Sequence, residues 1–177
     1  MTAQLPSAAP AVVRLDGYTR DDQDRLLGAD PDPFGVADAQ LTWLPKEIHF
    51  GVVLGDRLVA HAGLRRAPVT VGGLDTEVAG VGGVAVAADV RGHGLARLAV
   101  GAALDHARTL GPGFGLLFCR PPLTALYRRL GWHPVGGDVR VEQPDGSVVM
   151  PLRTMWTPLR EEARWPAGAV RLRSLPF

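Results

Sequence analysis

The stretch Arg91-Gly92-His93-Gly94-Leu95-Ala96 is where residue types and spacing in this sequence most directly suggest chemistry. It follows the apolar run Val84-Ala85-Val86 and precedes a segment of helical periodicity, so a strand runs into a two-glycine turn where a helix begins. Backbone N–H groups at a helix N-terminus lack intrahelical partners and carry partial positive charge, which suits a phosphate or pyrophosphate. Gly92 and Gly94 keep side chains off those amides, and Arg91 sets a fixed charge beside them. An anion cradle is one reading, and a plain strand-to-helix turn is the other. A Rossmann fingerprint does not fit, because its third glycine position holds Arg97 and no acid follows about 20 residues on within a βαβ unit. A P-loop is excluded too, since no Gly-Lys-Ser/Thr follows.

Other residues with chemical capacity are scattered. Tyr127 shares a helical face with Leu123 and Leu130, so spacing alone makes it a packing residue. Glu77 and Asp75 stand at the entry to a strand, where either could take a proton from an ammonium, directly or through water, or simply face solvent. His61 lies in an apolar strand and is expected to be a hydrogen-bonded core histidine. His93 is expected to lend the turn its backbone amide rather than its ring. Cys119 is the only cysteine, which excludes an intrachain disulfide and a cysteine-based zinc site; it ends an apolar strand and reads as an inert small hydrophobe. No metal site is expected. The six acids between Asp21 and Asp38 read as a solvated helix face and loop.

These residues need elements to position them. Residues 1–10 read as a loose leader and 12–15 as a first strand; Thr19 then caps a short helix running to about Leu27. Asp30-Pro31-Asp32-Pro33 and Gly35 break regular structure up to Trp43. Strands are expected at 50–54 and 58–64, joined by Gly55-Asp56, and at 68–71 and 77–86, separated by Gly72-Gly73. Four extended segments in succession predict an antiparallel sheet. A helix is predicted over 95–110, ended by Gly111, then a strand at 115–119 and a helix over 122–130 closed by Gly131. Strands follow at 132–135, 138–142 and 147–152, the last two around Pro144-Asp145-Gly146, and the segment from Trp165 to Leu172 is extended but unassigned.

At 177 residues, 46% apolar and 21% charged, the chain is expected to be one globular domain with a single core. A formal net charge of +1 gives no reason to expect nucleic acid or an anionic membrane as partner. Eighteen of the nineteen basic residues are arginine and Lys46 stands alone, a bias that reads as coding preference. No apolar run approaches a membrane span, and the first residues lack the order of a signal peptide, so a cytoplasmic protein is expected.

In combination these motifs resemble the GCN5-related N-acetyltransferase (GNAT) superfamily. Arg91, Gly94 and Ala96 fill the defining places of its R/Q-x-x-G-x-G/A acyl-CoA motif. Gly83-Val84-Ala85-Val86 resembles its central strand, and Ala125-Leu-Tyr-Arg-Arg-Leu-Gly-Trp132 its late helix and following strand, so the likeness spans about residues 49–152. It implies an α/β fold, with a mixed, mostly antiparallel sheet, helices on both faces, and a splay between the strand ending near Val86 and the one near Leu117. It implies acetyl-CoA as cosubstrate, with pantetheine along the backbone of Val84, Ala85 and Val86 and the pyrophosphate at Arg91, Gly92, His93, Gly94, Leu95 and Ala96. It further implies direct transfer to a primary amine of a small molecule, with Tyr127 protonating the departing thiolate; a phenol of ordinary pKa about 10 holds its proton at neutral pH. Glu77 is the expected base.

Within the superfamily the chain is similar to the aminoglycoside 2′-N-acetyltransferases and more faintly to the nodulation N-acyltransferases. The shared features are Val59-Ala-His-Ala, Gly82-Gly-Val-Ala-Val, Leu126-Tyr-Arg-Arg-Leu-Gly-Trp and Trp165-Pro-Ala-Gly. The aminoglycoside enzymes carry a substrate-facing Glu where Gly82 stands, so weak turnover of aminoglycosides is expected. The acids from Asp21 to Asp38, with Glu77, would flank an acceptor cleft and favour a cationic amine. A longer-chain acyltransferase and a non-catalytic acyl-CoA sensor stay open as alternatives. So does the oligomeric state, homodimer included.

Overall fold

The computed structural model describes residues 8–177, so residues 1–7 of the expected leader lie outside it. β1 (Ala11–Leu15) leads into α1 (Arg20–Leu27). Thr19 starts that helix with a capping box: its hydroxyl accepts from the Asp22 N–H at 3.2 Å, and the Asp22 carboxylate accepts from the Thr19 N–H at 2.8 Å. The loop that follows holds one 3₁₀ turn, Ala37–Ala39, and is tied by the Asp32 carboxylate, which accepts from the N–H groups of Val36 (2.9 Å) and Ala37 (3.1 Å).

β2 (Ile48–Leu54), β3 (Arg57–Val71) and β4 (Leu74–Val86) form the antiparallel meander that the sequence predicts. The predicted strands at 58–64 and 68–71 are one 15-residue strand, β3, running straight through Pro68. The Pro68 carbonyl accepts from the Arg173 N–H at 2.9 Å, so the N–H that proline lacks would face the same edge. On that edge β2 pairing stops at Leu64 and β10 (Val170–Leu172) pairing starts at Val69, so no ladder bond is lost.

α2 (Leu95–Ala107) buries Leu95, Ala99, Val100, Ala103, Leu104 and Ala107 against β2, β3 and β4, and ends three residues short of the predicted 110. β5 (Phe114–Cys119) follows, then a 3₁₀ turn at Pro121–Leu123 and α3 (Thr124–Arg129), with Gly131 at φ +89 beyond it. The pattern predicted as a helix from 122 is therefore α-helical only from Thr124. β6 (His133–Pro134), β7 (Val139–Gln143) and β8 (Gly146–Val149) come next. The predicted strand at 147–152 divides at Met150-Pro151, and β9 (Arg153–Pro158) is a separate strand that the sequence does not reveal.

All ten strands of the described residues belong to one sheet, in which only β4–β5 and β7–β10 pair in parallel. His49 and Phe50 are successive on β2 and so face opposite sides. Phe50 meets His106 of α2 with ring centroids 5.7 Å apart, whereas His49 and His61 meet Tyr18 at the entry to α1. Helical elements thus cover both faces, as expected. β4 and β5 pair only at Ala79↔Gly115 and Gly80↔Leu116, and beyond these they part. That is the expected splay. No helix among the described residues is long and apolar enough to cross a membrane.

Candidate active site

The parting of β4 and β5 opens a cleft of about 270 Å³. Gly82, Gly83 and Val84 of β4, Leu117, Phe118 and Cys119 of β5, and Tyr127 of α3 form its walls. Tyr127 is buried, edge-on to Trp132 at 6.3 Å, so it packs and also lines the cleft. Burial, reinforced by Cys119, pushes its phenol well above the ordinary value, which keeps it protonated. Burial raises the Cys119 thiol to about 11, so it is no nucleophile at neutral pH.

At one end of β4 lies the two-glycine turn. Gly92 (φ +83) and Gly94 (φ +76) are both left-handed, a conformation that costs any residue with a Cβ. A Cβ on either would meet nothing within 4 Å, so the space above the turn is open. Gly94 occupies the N-cap of α2 and no side chain caps that end, which leaves its first amides free for an anion. Arg91 is exposed and bends back, its Nε donating to the Val86 carbonyl at 3.1 Å. The His93 ring closes on the turn, Nδ1 lying 3.1 Å from the carbonyls of Val90 and Arg91, which leaves its amide as the group the turn presents. Arg57 clamps Asp89 with two bonds of 2.7 and 2.8 Å, fixing the turn to the β2–β3 hairpin. Leu95 is buried and Ala96 half-buried, as first-turn residues of α2.

β4 is bulged beside the cleft. Between the pairs His61↔Ala85 and Gly63↔Gly82, β4 carries one residue more than β3, and Gly83 sits there at φ +60. His61, 1% exposed, pins the bulge: its Nδ1 donates to the Gly83 carbonyl at 2.7 Å, so its Nε2 accepts from His49 Nδ1 at 3.0 Å. Tyr18 stacks on the His61 ring at 3.6 Å and 9°. Burial drags His61 down to about 4, so it is a neutral core histidine, as its strand context predicts.

Lys46 is the residue that the sequence leaves without a role. It precedes β2, and its side chain lies across β3 and β4 in a groove left by glycines. A Cβ at Gly63 would collide with Lys46 Cγ, and one at Gly82 would come within 2.6 Å of Cε and 3.1 Å of Nζ. Lys46 lines the cleft, and burial pulls its amine down to about 8. The run Gly63, Gly82 and Gly83 is the signal that could have found it, but only with the β3–β4 register in hand.

Other predicted residues are not brought to the cleft. Glu77 is exposed and pairs with Arg66 at 3.7 Å. With Asp75 it lines a different surface groove, beside Leu110 to Phe114. Among the acids from Asp21 to Asp38, Asp22 caps α1, Asp24 pairs with Arg20, and Asp30 and Asp32 bond loop amides. That loop gives the cleft Phe34 and Val36, and no acidic side chain among the described residues lines it.

Comparison with known proteins agrees with this geometry. The acetyltransferase (GNAT) family model matches residues 16–132. The N-acetyltransferase YhbS of Escherichia coli, solved with CoA, aligns at a TM-score of 0.64 and 20% identity over 96% of this chain and 93% of its own. The ribosomal-protein-S18-alanine N-acetyltransferase of E. coli aligns at 0.56 and 18% over 88% and 99%, and a GCN5-related N-acetyltransferase of Kribbella flavida at 0.52 and 26% over 72% and 35%. No curated protein matches the sequence significantly. Two-thirds of the chain matches the family model: the chain belongs to the GNAT family and is an acetyl-CoA-dependent N-acetyltransferase.

Proposed function

We propose that this chain moves the acetyl group from acetyl-CoA to a primary amine of a small molecule by direct attack, without an acyl-enzyme. The observation that carries the reading is that Tyr127 and the bulged strand β4 share one cleft while the same strand leads on into the open glycine turn. The amides of Gly92 to Ala96, with Arg91 beside them, would hold the pyrophosphate, and the backbone of Val84, Ala85 and Val86 would hold pantetheine. Acetyl-CoA supplies the thioester when bound. Tyr127 gives its proton to the departing sulfur, and its raised pKa means that the proton is present at every physiological pH. Glu77, on the opposite stretch of β4, would receive the proton of the acceptor only through solvent.

The likeness to aminoglycoside 2′-N-acetyltransferases rests on the sequence features above, and the cleft favours other acceptors. Its charged lining side chains are Lys46 and Arg120, both cationic, and Gly82 supplies no carboxylate. Polycationic sugars are therefore expected to be turned over weakly. The test is thiol release from acetyl-CoA over a panel of aminoglycosides, polyamines, amino acids and peptide N-termini. Acceptor-dependent release with a small amine supports the reading. Binding of acetyl-CoA with no acceptor-dependent release across the panel would exclude these small amines as the acceptor.

A further inference from the structure

We infer that Lys46 is itself an acyl acceptor: with acetyl-CoA in the cleft and no other amine present, the protein acetylates its own Lys46 and thereby blocks its acceptor site. The inference rests on the acyl-transfer reading above, but its ground is separate, the path of one side chain.

Lys46 starts over Gly63 on β3 and ends over Gly82 on β4, so it runs across the strands towards the side on which β4 and β5 part. Lys46 lines the same cleft as Gly83, Val84 and Tyr127, with Nζ over the lining residue Gly82. No carboxylate of the described residues lies within ion-pair distance of it; Glu47, its neighbour in sequence, pairs with Arg65 at 3.1 Å instead. The charged or polar groups around it are His49 of β2 and His61 of β3 on the same face of the sheet, Arg120 across the cleft, the protonated Cys119 and Tyr127, and the main-chain oxygen of Phe177, 3.3 Å from where a Cβ on Gly82 would stand. Burial lowers its pKa to about 8, so this amine gives up its proton more readily than an ordinary lysine. Its neutral fraction, larger than an ordinary lysine's, carries the lone pair, and its place in the cleft wall supplies the proximity that an incoming acceptor must acquire.

The step balances simply. The Nζ lone pair attacks the thioester carbonyl carbon, the N–C bond forms and the C–S bond breaks. Sulfur leaves as thiolate and takes the Tyr127 hydroxyl proton, and the proton lost from Nζ returns to the phenolate through solvent. The products are Nε-acetyl-lysine and CoA. The amide is neutral, no longer basic, and bulkier, in a groove where Gly82 leaves room for Lys46 alone.

Lys46 is the only lysine, so the product is unambiguous. The full chain is incubated with acetyl-CoA without acceptor and followed by intact mass, peptide mapping and thiol release. One acetyl per chain at Lys46 is expected, with one equivalent of thiol and a rate that rises with pH to about 8 and then levels. Lys46→Met and Lys46→Arg should remain unmodified at this position while acetyl-CoA still raises their Tm. If neither variant folds, Tyr127→Phe provides the second arm, and it should slow acetylation of the native Lys46 at least tenfold. A native protein whose Tm rises with acetyl-CoA, yet whose Lys46 is acetylated no faster than that of the chain in denaturant, overturns the inference and leaves the acyl-transfer reading standing. No rise in Tm removes that reading and the inference together.

Discussion

Tyr127 combines two properties that usually exclude each other, a core contact with Trp132 and a place in the wall of a cleft. Tyr127→Phe keeps the ring and deletes the one proton it can supply. Positioned acid catalysis contributes roughly 10²–10⁴-fold, so kcat with a saturating amine should fall by about that factor. Acetyl-CoA affinity and Tm should hardly move, because Phe fills nearly the same volume. A kcat within about threefold of native, with chemistry limiting the rate, would make Tyr127 core filler. At this scale the sequence was legible where a motif is local. Arg91, Gly94 and Ala96 are close neighbours, and the turn they form is the one expected. It was illegible where meaning depends on a distant partner. Lys46 acquires a role only because Gly63 and Gly82, on two other strands, lie under its side chain. Glu77 illustrates the converse: its sequence context suggests a base, yet the stretch of β4 that carries it lies on the far side of the last β4–β5 pair from the cleft.

Among the elements, the N-terminus of α2, unlike that of α1, has no side-chain cap. Gly94→Asp tests what those amides are for. Aspartate is among the few residues that tolerate the left-handed conformation Gly94 adopts, so the fold should survive with a loss of about 1 kcal/mol. Its carboxylate would occupy and repel the pyrophosphate path, and the rise in Tm that acetyl-CoA confers on the native protein by mass action should disappear. A folded variant that keeps the full rise would assign the anion elsewhere. α1 offers a contrast, since Thr19 does cap it; Thr19→Ala should cost about 1 kcal/mol in denaturant unfolding and leave acetyl-CoA binding unchanged. Elements with strong periodicity or clear punctuation were legible: α2, the β2–β3 hairpin and the strand at 115–119. β3 misled because a proline inside a strand signals a break unless the edge it faces is known. β9 was hidden because Met150-Pro151 reads as the tail of the preceding strand.

For the whole molecule, the sheet order could not be read from the sequence, since β10 slips between β3 and β7 from a segment without periodicity. That order nonetheless decides which groups the fold seals away, and His61 is one of them. His61 is essentially buried and held neutral at about 4, against an ordinary 6.5. Between those values the unfolded chain binds a proton that the folded chain refuses, so stability must rise with pH across that window. His61 therefore makes its full contribution above about pH 6.5 and loses it progressively as pH falls towards 4. The shift corresponds to roughly 3 kcal/mol, which for a chain of this size is a fall in Tm of about 6–12 °C. Asp22 and Asp89, held below the usual carboxylate range by Thr19 and Arg57, add further losses only at lower pH. His61→Gln can still donate to the Gly83 carbonyl but cannot titrate. It should be less stable than native at pH 7, having lost the stack on Tyr18, and its Tm should be much flatter between pH 6.5 and 4. His49, also shifted down by burial, serves as control, because His49→Gln leaves the buried His61 in place and should retain most of the slope. Parallel Tm curves for native and His61→Gln through that window would mean that the proton is taken up elsewhere, and that the bulge at Gly83 does not depend on a neutral ring.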